Sequence, residues 1–239
     1  MKLTDFKILT FDCYGTLIDW ESGMIEALKP LTSRVPGLTR NAILEAHGRH
    51  EAAQQIRTPT KLYRDVLATV YKRMAEEWDV QASWEECQAY GVSVKDWPAF
   101  SDSSGALQYL KKYYKLAILS NVENALFAHS LKKLGVEFDA IYTAEDIGSY
   151  KPNPANFEYM LGHLAQRGIA KADILHTAES LFHDHKPANG FGLKTCWIYR
   201  RHNDEGFGAT RDPGEMPHLD FKFTSMADLA KAHQEQLRG

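Results

Sequence analysis

The chain has 239 residues, a formal net charge of −3 at pH 7, 44% hydrophobic residues and 25% charged residues. That length suits one large domain or a core carrying an insertion, and the charge offers no basic face for nucleic acid. No run of about 18 apolar residues exists to span a membrane as a helix, and three scattered cysteines (Cys13, Cys87, Cys196) exclude a disulfide framework.

The N-terminal segment enters a strand at once. Ile8, Leu9 and Phe11 suit a buried strand that ends on Asp12, and Gly15 marks the turn behind it. No apolar leader precedes this strand, so a cytoplasmic protein is expected. Residues 21–96 show no strand-like alternation. They read as helices over Glu21–Arg34, Arg40–Gln55, Lys61–Asp79 and Trp84–Val92, broken at Pro36-Gly37 and Thr58-Pro59. In the third of these, Leu62, Val66, Val70 and Met74 fall on one face.

From Trp97 onward helix and strand alternate. Helix Ser103–Tyr113 leads to strand Lys115–Ser120, and helix Glu123–Leu134 stops at Gly135, a good residue just past a helix end. Strand Ala140–Ala144, helix Pro154–Arg167, strand Ile174–Ala178, helix Lys186–Phe191 and strand Lys194–Tyr199 follow. Residues 200–218, rich in Gly, Pro, Arg and His, read as a long loop before a short strand Phe221–Thr224 and a last helix Met226–Leu237. Such alternation implies an α/β fold with a parallel sheet covered on both faces. The expected organisation is a Rossmann-like core of residues 1–17 and 97–239, interrupted by a helical insertion of residues 18–96.

Asp12 sits at the C-terminal end of its strand, where open α/β sheets place their chemistry. A carboxylate there either caps the following turn or serves as a nucleophile that forms an ester with substrate. Three further motifs bear on that choice. Leu116-Ala117-Ile118-Leu119-Ser120-Asn121 is a strand ending in a hydroxyl residue, Tyr150-Lys151-Pro152-Asn153-Pro154 places a lysine before a helix, and Ala178-Glu179-Ser180 through Asp184 is acidic. Together with Asp12-Cys13-Tyr14-Gly15-Thr16-Leu17, these resemble, in order, the four motifs of the haloacid dehalogenase (HAD) superfamily. The resemblance implies a hydrolase whose helical cap, inserted between the first two motifs, closes over the strand ends and excludes water.

Within that superfamily, phosphatases carry a second Asp two residues after the nucleophile to protonate a leaving alkoxide. Here that position is Tyr14, a poor acid at its phenolic pKa of about 10. A halide needs no proton, and L-2-haloacid dehalogenases are similar here, with D-x-Y-G-T. The resemblance therefore implies hydrolytic dehalogenation of a small 2-haloacid through an Asp12 ester, without a cofactor. Thr16 and Ser120 would donate to the Asp12 carboxylate, Lys151 would keep it ionised, and Asp184 would complete the catalytic set. Tyr14, Asn121 and Phe157 would line the substrate site. A cap arginine would bind the substrate carboxylate, with Arg49 preferred over Arg40, Arg57 and Arg64.

The match has departures. Glu179 and Leu181 stand where the dehalogenases carry Ser and Asn, and Phe157 replaces a tyrosine. Glu179 followed by Asp184 looks more like the magnesium motif of the phosphatases. Asp12, the Tyr14 carbonyl and Glu179 or Asp184 would then supply an oxygen shell for Mg²⁺, completed by water. The alternative reading is accordingly a Mg²⁺-dependent phosphatase or phosphonatase-like hydrolase, and a non-catalytic binding protein is a third. His183-Asp184-His185 is read as capping or solvated groups rather than a zinc site, His176 as a core or cleft residue, and Arg200-Arg201-His202 as a strand-end group that either attracts an anion or forms a solvated loop. The expected partner is a small anionic molecule, with neither nucleic acid nor membrane, and an apolar cap helix offers a face for a homodimer.

Overall fold

The computed structural model describes residues 1–239. Six strands form one parallel sheet: β1 (Ile8–Phe11), β2 (Lys115–Ser120), β3 (Ala140–Thr143), β4 (Ile174–Ala178), β5 (Lys194–Ile198) and β6 (Phe221–Phe223). Their spatial order is β3-β2-β1-β4-β5-β6. All of β1 and β4 is buried, as is β2 beyond its first residue. Strands covered on both faces read as near-continuous apolar runs, which is the pattern that marked them in the sequence. β1 lies between β2 and β4, with Ile8 opposite both Lys115 and Ile174. The direction of winding reverses there, and the crevice at the carboxyl ends of these strands is where open α/β sheets bind ligands.

Four helices make up the insertion: α1 (Trp20–Thr32), α2 (Arg40–Arg57), α3 (Tyr63–Glu77) and α4 (Trp84–Gly91). Asp19, Thr39 and Ser83 start α1, α2 and α4, each side chain accepting from a first-turn backbone N–H that has no partner within its helix. The chain leaves and re-enters the core at one place, where Ile18 bridges Ala99 and the Asp19 N–H donates to Pro98 O at 2.8 Å. The core helices are α5 (Ser103–Leu110), α6 (Asn124–Leu134), α7 (Ala144–Ile147), α8 (Pro154–Gln166), α9 (Lys186–Gly190) and α10 (Met226–Arg238). Ala144, expected to end β3, instead begins α7, because the Thr143 side chain accepts from Asp146 N and caps a helical turn.

One apolar cluster runs unbroken from Leu9 and Phe11 in the sheet to Val66, Tyr71 and Met74 in the cap. A second packs Phe157, Met160 and Leu164 of α8 against Ala117 and Leu119 on the other face. The loop 200–218 has neither helix nor strand but is not simply solvated. Arg201 is buried against Glu21 of α1, and Ala209 is buried against α2. A Cβ on Gly48 would sit 2.2 Å from the Ala209 carbonyl oxygen, so only glycine permits that contact. Arg200 is also turned inward, donating to Thr16 O and pairing with Asp102.

Candidate active site

Asp12 follows β1 directly, and the chain then turns sharply. Gly15 has φ of 95°, which side-chain-bearing residues rarely adopt, and a Cβ there would sit 3.0 Å from Trp20 Nε1. The turn brings Thr16 back so that its hydroxyl donates to Asp12 Oδ2 at 2.8 Å while accepting from Glu179 N at 2.9 Å. Lys151 reaches in from the segment between α7 and α8. Its Nζ donates to Asp12 Oδ1 (2.9 Å), Leu119 O (2.9 Å) and Asp184 Oδ1 (2.7 Å). All three ammonium protons are therefore taken. Asn121, just after β2, fixes the Lys151 backbone at both ends: Nδ2 donates to Lys151 O at 3.0 Å, and Oδ1 accepts from Lys151 N at 2.7 Å.

Asp184 is carried on a π-helical turn, Leu181–His185, opened by Ser180, whose Oγ accepts from His183 N at 3.0 Å. Such turns recur at functional sites. His176 on β4 contacts Asp184 Oδ1 through Nε2 at 2.9 Å and Thr10 Oγ1 through Nδ1 at 2.9 Å. His176 thereby ties Asp184 to Thr10 through its two ring nitrogens. The result is a continuous buried line from Thr10 through His176, Asp184 and Lys151 to Asp12.

Burial penalises every charge on that line, and the charges answer one another. Burial pushes the Asp184 carboxyl up, but Lys151 and His176 outweigh it and hold it below the usual carboxylate range. Burial pushes the Lys151 ammonium down, yet Asp12 and Asp184 carry it above the usual lysine range. For Asp12 burial raises the carboxyl, Lys151 opposes, and the Asp184 charge adds to the rise, so it ends raised. Of the two carboxylates sharing one ammonium, Asp12 is the more basic. Beside it the Tyr14 hydroxyl bonds Ser130 Oγ at 2.9 Å, its ring stands edge-on to Trp97, and burial pushes the phenol well above its ordinary range.

A family model described as haloacid dehalogenase-like hydrolase matches residues 6–176, which carry Asp12, Lys151 and the cap. The chain belongs to this hydrolase family. It is 26% identical over 214 residues to (S)-2-haloacid dehalogenase 4A of Burkholderia cepacia, covering 82% of this chain and 84% of that one. Among solved structures it resembles the L-2-haloacid dehalogenase of Xanthobacter autotrophicus with chloropropionic acid covalently bound. That match has a TM-score of 0.77 at 18% identity and covers 98% of this chain and 99% of the other. A defluorinating L-2-haloacid dehalogenase also has a TM-score of 0.77, at 19% identity, over 100% of this chain and 98% of that one. At these identities the structural likeness speaks for the fold.

In this hydrolase the expected catalytic residues Asp12, Thr16, Lys151 and Asp184 meet, whereas Ser120 does not join them. Its Oγ is buried without a partner, while Thr16 and Lys151 bind the two Asp12 oxygens. The cavity over Asp12 is lined by Tyr14, Trp20, Glu51, Gln55, Tyr63 and Asn121, among others. Asn121 faces it, but its amide is engaged by Lys151. Phe157 is not in the cavity. It packs behind the site between His176 and Phe191, a core role that explains why an apolar ring stands there.

Arg49 is also absent from the cavity. It lies on the outer face of α2, 57% exposed by side chain, and pairs with Glu77 at 2.6 Å. Of the four proposed magnesium ligands, Glu179 stands apart from Asp12 and Asp184, and no three acidic, His or Cys side chains are arranged as a metal-holding group. Glu179 points into a separate cleft with Glu21, Arg40 and Arg201, where burial and the neighbouring carboxylates push it up to about 8. Between Asp12 and Asp184 the cation in place is Lys151.

Sequence reasoning missed the cap's contribution. Glu51 is two residues from Arg49, about 200° around a helix, so choosing the arginine chose the wrong face. The signal was present: His47, Glu51, Gln54 and Gln55 repeat at helical spacing and form the buried, polar side of α2. His176, read from the sequence as a core or cleft residue, reaches the site because it pairs in register with Thr10 on the neighbouring strand.

Proposed function

We propose that this hydrolase cleaves a carbon–halogen bond through an ester on Asp12. An Asp12 carboxylate oxygen attacks the halogen-bearing carbon from the side opposite the halogen. The new C–O bond forms as the halide leaves with the bonding pair. Water then adds to the Asp12 carboxyl carbon, the bond from that carbon to the substrate oxygen breaks, and the alcohol departs with one of the water's protons. The other proton is released as Asp12 ionises again.

Each fixed residue has a part in this reading. Thr16 and Lys151 hold the two carboxylate oxygens and orient the attack. Lys151 keeps Asp12 ionised and stabilises negative charge on the ester carbonyl oxygen as water adds. Asp184 Oδ2, buried and without a partner, is the acceptor that positions the incoming water. The cap residues close the cavity against bulk water.

The single observation that carries the reading is the pairing of the buried, lysine-bound Asp12 with Tyr14 at the position of the usual acid. Tyr14 is held by Ser130 and lifted away from acid function, so the leaving group must depart unprotonated, as a halide does. Phosphate-ester hydrolysis would need both that acid and a metal shell. The test is to incubate the protein with 2-chloropropionate and with p-nitrophenyl phosphate, with and without Mg²⁺. Halide release independent of Mg²⁺, lost in Asp12→Asn, is the expected result. Phosphate release near typical enzyme efficiency, about 10⁵ M⁻¹s⁻¹, would contradict it.

A further inference from the structure

The family's named relatives act on haloacids, yet the cavity over Asp12 offers a carboxylate no cation. Lys151 is the one lysine or arginine lining it, and its three protons are taken. Of the cap arginines considered for that role, Arg49 pairs with Glu77, Arg40 with Glu21 and Arg64 with Glu123, while Arg57 is exposed at the end of α2 and does not line the cavity. His183 lines the cavity too, but burial pushes it down to about 4, so it is neutral.

What the cap contributes instead is a carboxyl group. Glu51 of α2 is 5% exposed and lines the cavity together with Asp12. Its Oε1 accepts from the Tyr63 hydroxyl at 2.7 Å and from Gln55 Nε2 at 3.3 Å. Its Oε2 has no hydrogen-bond partner. His47 Nδ1 stands 3.9 Å from it, and burial pushes that imidazole down to about 3, so no positive charge answers Glu51. A buried acceptor with one oxygen fixed and the other free is a binding group awaiting a donor. The surrounding walls are Tyr14, Trp20 and Tyr63, whose ring faces attract cations.

We infer that Glu51 recognises a positively charged hydrogen-bond donor on the substrate, an organic ammonium group, so that the cavity selects cationic over carboxylate-bearing organohalides. Asp12 and Asp184 already share a single ammonium. A substrate carboxylate would add a further negative charge beside Glu51, whereas an ammonium group completes the pairing and leaves Oε2 satisfied. The inference rests on the proposed reaction only for placing substrate beside Asp12. Glu51 is a specificity-determining residue in this account, since it touches the substrate away from the reacting carbon.

The test measures binding of propylammonium and of propionate to the wild-type protein by calorimetry near pH 8, where a carboxyl like Glu51 is mostly ionised. Propylammonium is expected to bind about tenfold more tightly than propionate, and Glu51→Gln to remove that preference. Tighter or equal binding of propionate by wild type, absence of propylammonium binding, or a preference that survives in folded Glu51→Gln would overturn the inference. The wild-type comparison stands whether or not the variant folds. Halide release from 2-chloroethylammonium and 2-chloropropionate separates the two proposals. An intact ammonium preference without halide release from either would remove the reaction and keep the recognition. Release from 2-chloropropionate with tighter propionate binding would do the reverse.

Discussion

Lys151 Nζ stands 2.9 Å from Asp12 Oδ1, and the two residues are 1% and 6% exposed. This contact joins residues 139 positions apart, yet it sets the ionisation of the carboxylate on which the proposed chemistry depends. Lys151→Met would leave Asp12 and Asp184 buried together without a cation. Halide release should fall to background, and the protein should lose on the order of 3–5 kcal/mol of stability, the range for breaking a buried pair. Urea unfolding read beside the halide assay checks both. A stable, active methionine variant would show that the ammonium is dispensable.

The pH dependence follows from the same contact. Asp12 is raised above its ordinary 3.8, so kcat/KM should fall with acidification at a midpoint above that value, as the nucleophile takes its proton. Lys151 is raised above its ordinary 10.5, so it stays charged through the alkaline range and sets no limb below that point. A pH–rate profile for a neutral organohalide is therefore expected to be flat on the alkaline side of the Asp12 limb, whereas an ammonium substrate adds a rise near pH 7 as Glu51 ionises. An acid midpoint below 3.8 would be inconsistent with the buried pair described here.

Arg49→Ala should change kcat/KM by less than about twofold and stability by at most about 1 kcal/mol, because the arginine forms an exposed pair with Glu77 outside the cavity. Steady-state kinetics with purified variant and wild type decides this. A loss of several kcal/mol in transition-state binding would restore Arg49 to the substrate site.

Much of this was legible in the sequence, for reasons that differ by residue. β1, β2 and β4 are buried on both faces, so their apolar runs announced them, and motif order then located Asp12, Thr16, Lys151 and Asp184. The site's remaining members come from pairings that linear order does not display. Ser120 ends its strand at the site, yet its Oγ is left without a partner while Lys151 and Thr16 bind the Asp12 oxygens. Phe157 looked like a substrate contact because of its distance from Lys151, but α8 turns it into the core behind His176. The cap was least legible: α2 buries a polar face, so the usual contrast between apolar and polar sides of a helix could not say which of Arg49 and Glu51 points inward.

Glu51 also has a consequence for stability. Burial raises its carboxyl from 4.5 to about 7, with the Tyr63 hydrogen bond opposing. The unfolded chain gives up this proton first, so the stability tied to the neutral carboxyl is full below about pH 4.5 and is lost as pH rises through about 7. Glu51→Gln removes that loss. It should be more stable than wild type above pH 7, by up to about 3 kcal/mol, with the advantage vanishing at acid pH. Thermal unfolding of both proteins across pH is the check, and a variant less stable than wild type at high pH would contradict it.

The central claim is that Asp12 forms a covalent ester, and one experiment addresses it directly. With enzyme in excess over a halogenated substrate it turns over, a single turnover in H₂¹⁸O is followed by mass analysis of the Asp12 peptide and of the product alcohol. The ester route places the label in the Asp12 carboxylate and leaves the first product unlabelled, because its oxygen came from the aspartate. Label appearing in that first product would mean that water attacks the carbon directly and that Asp12 is not the nucleophile.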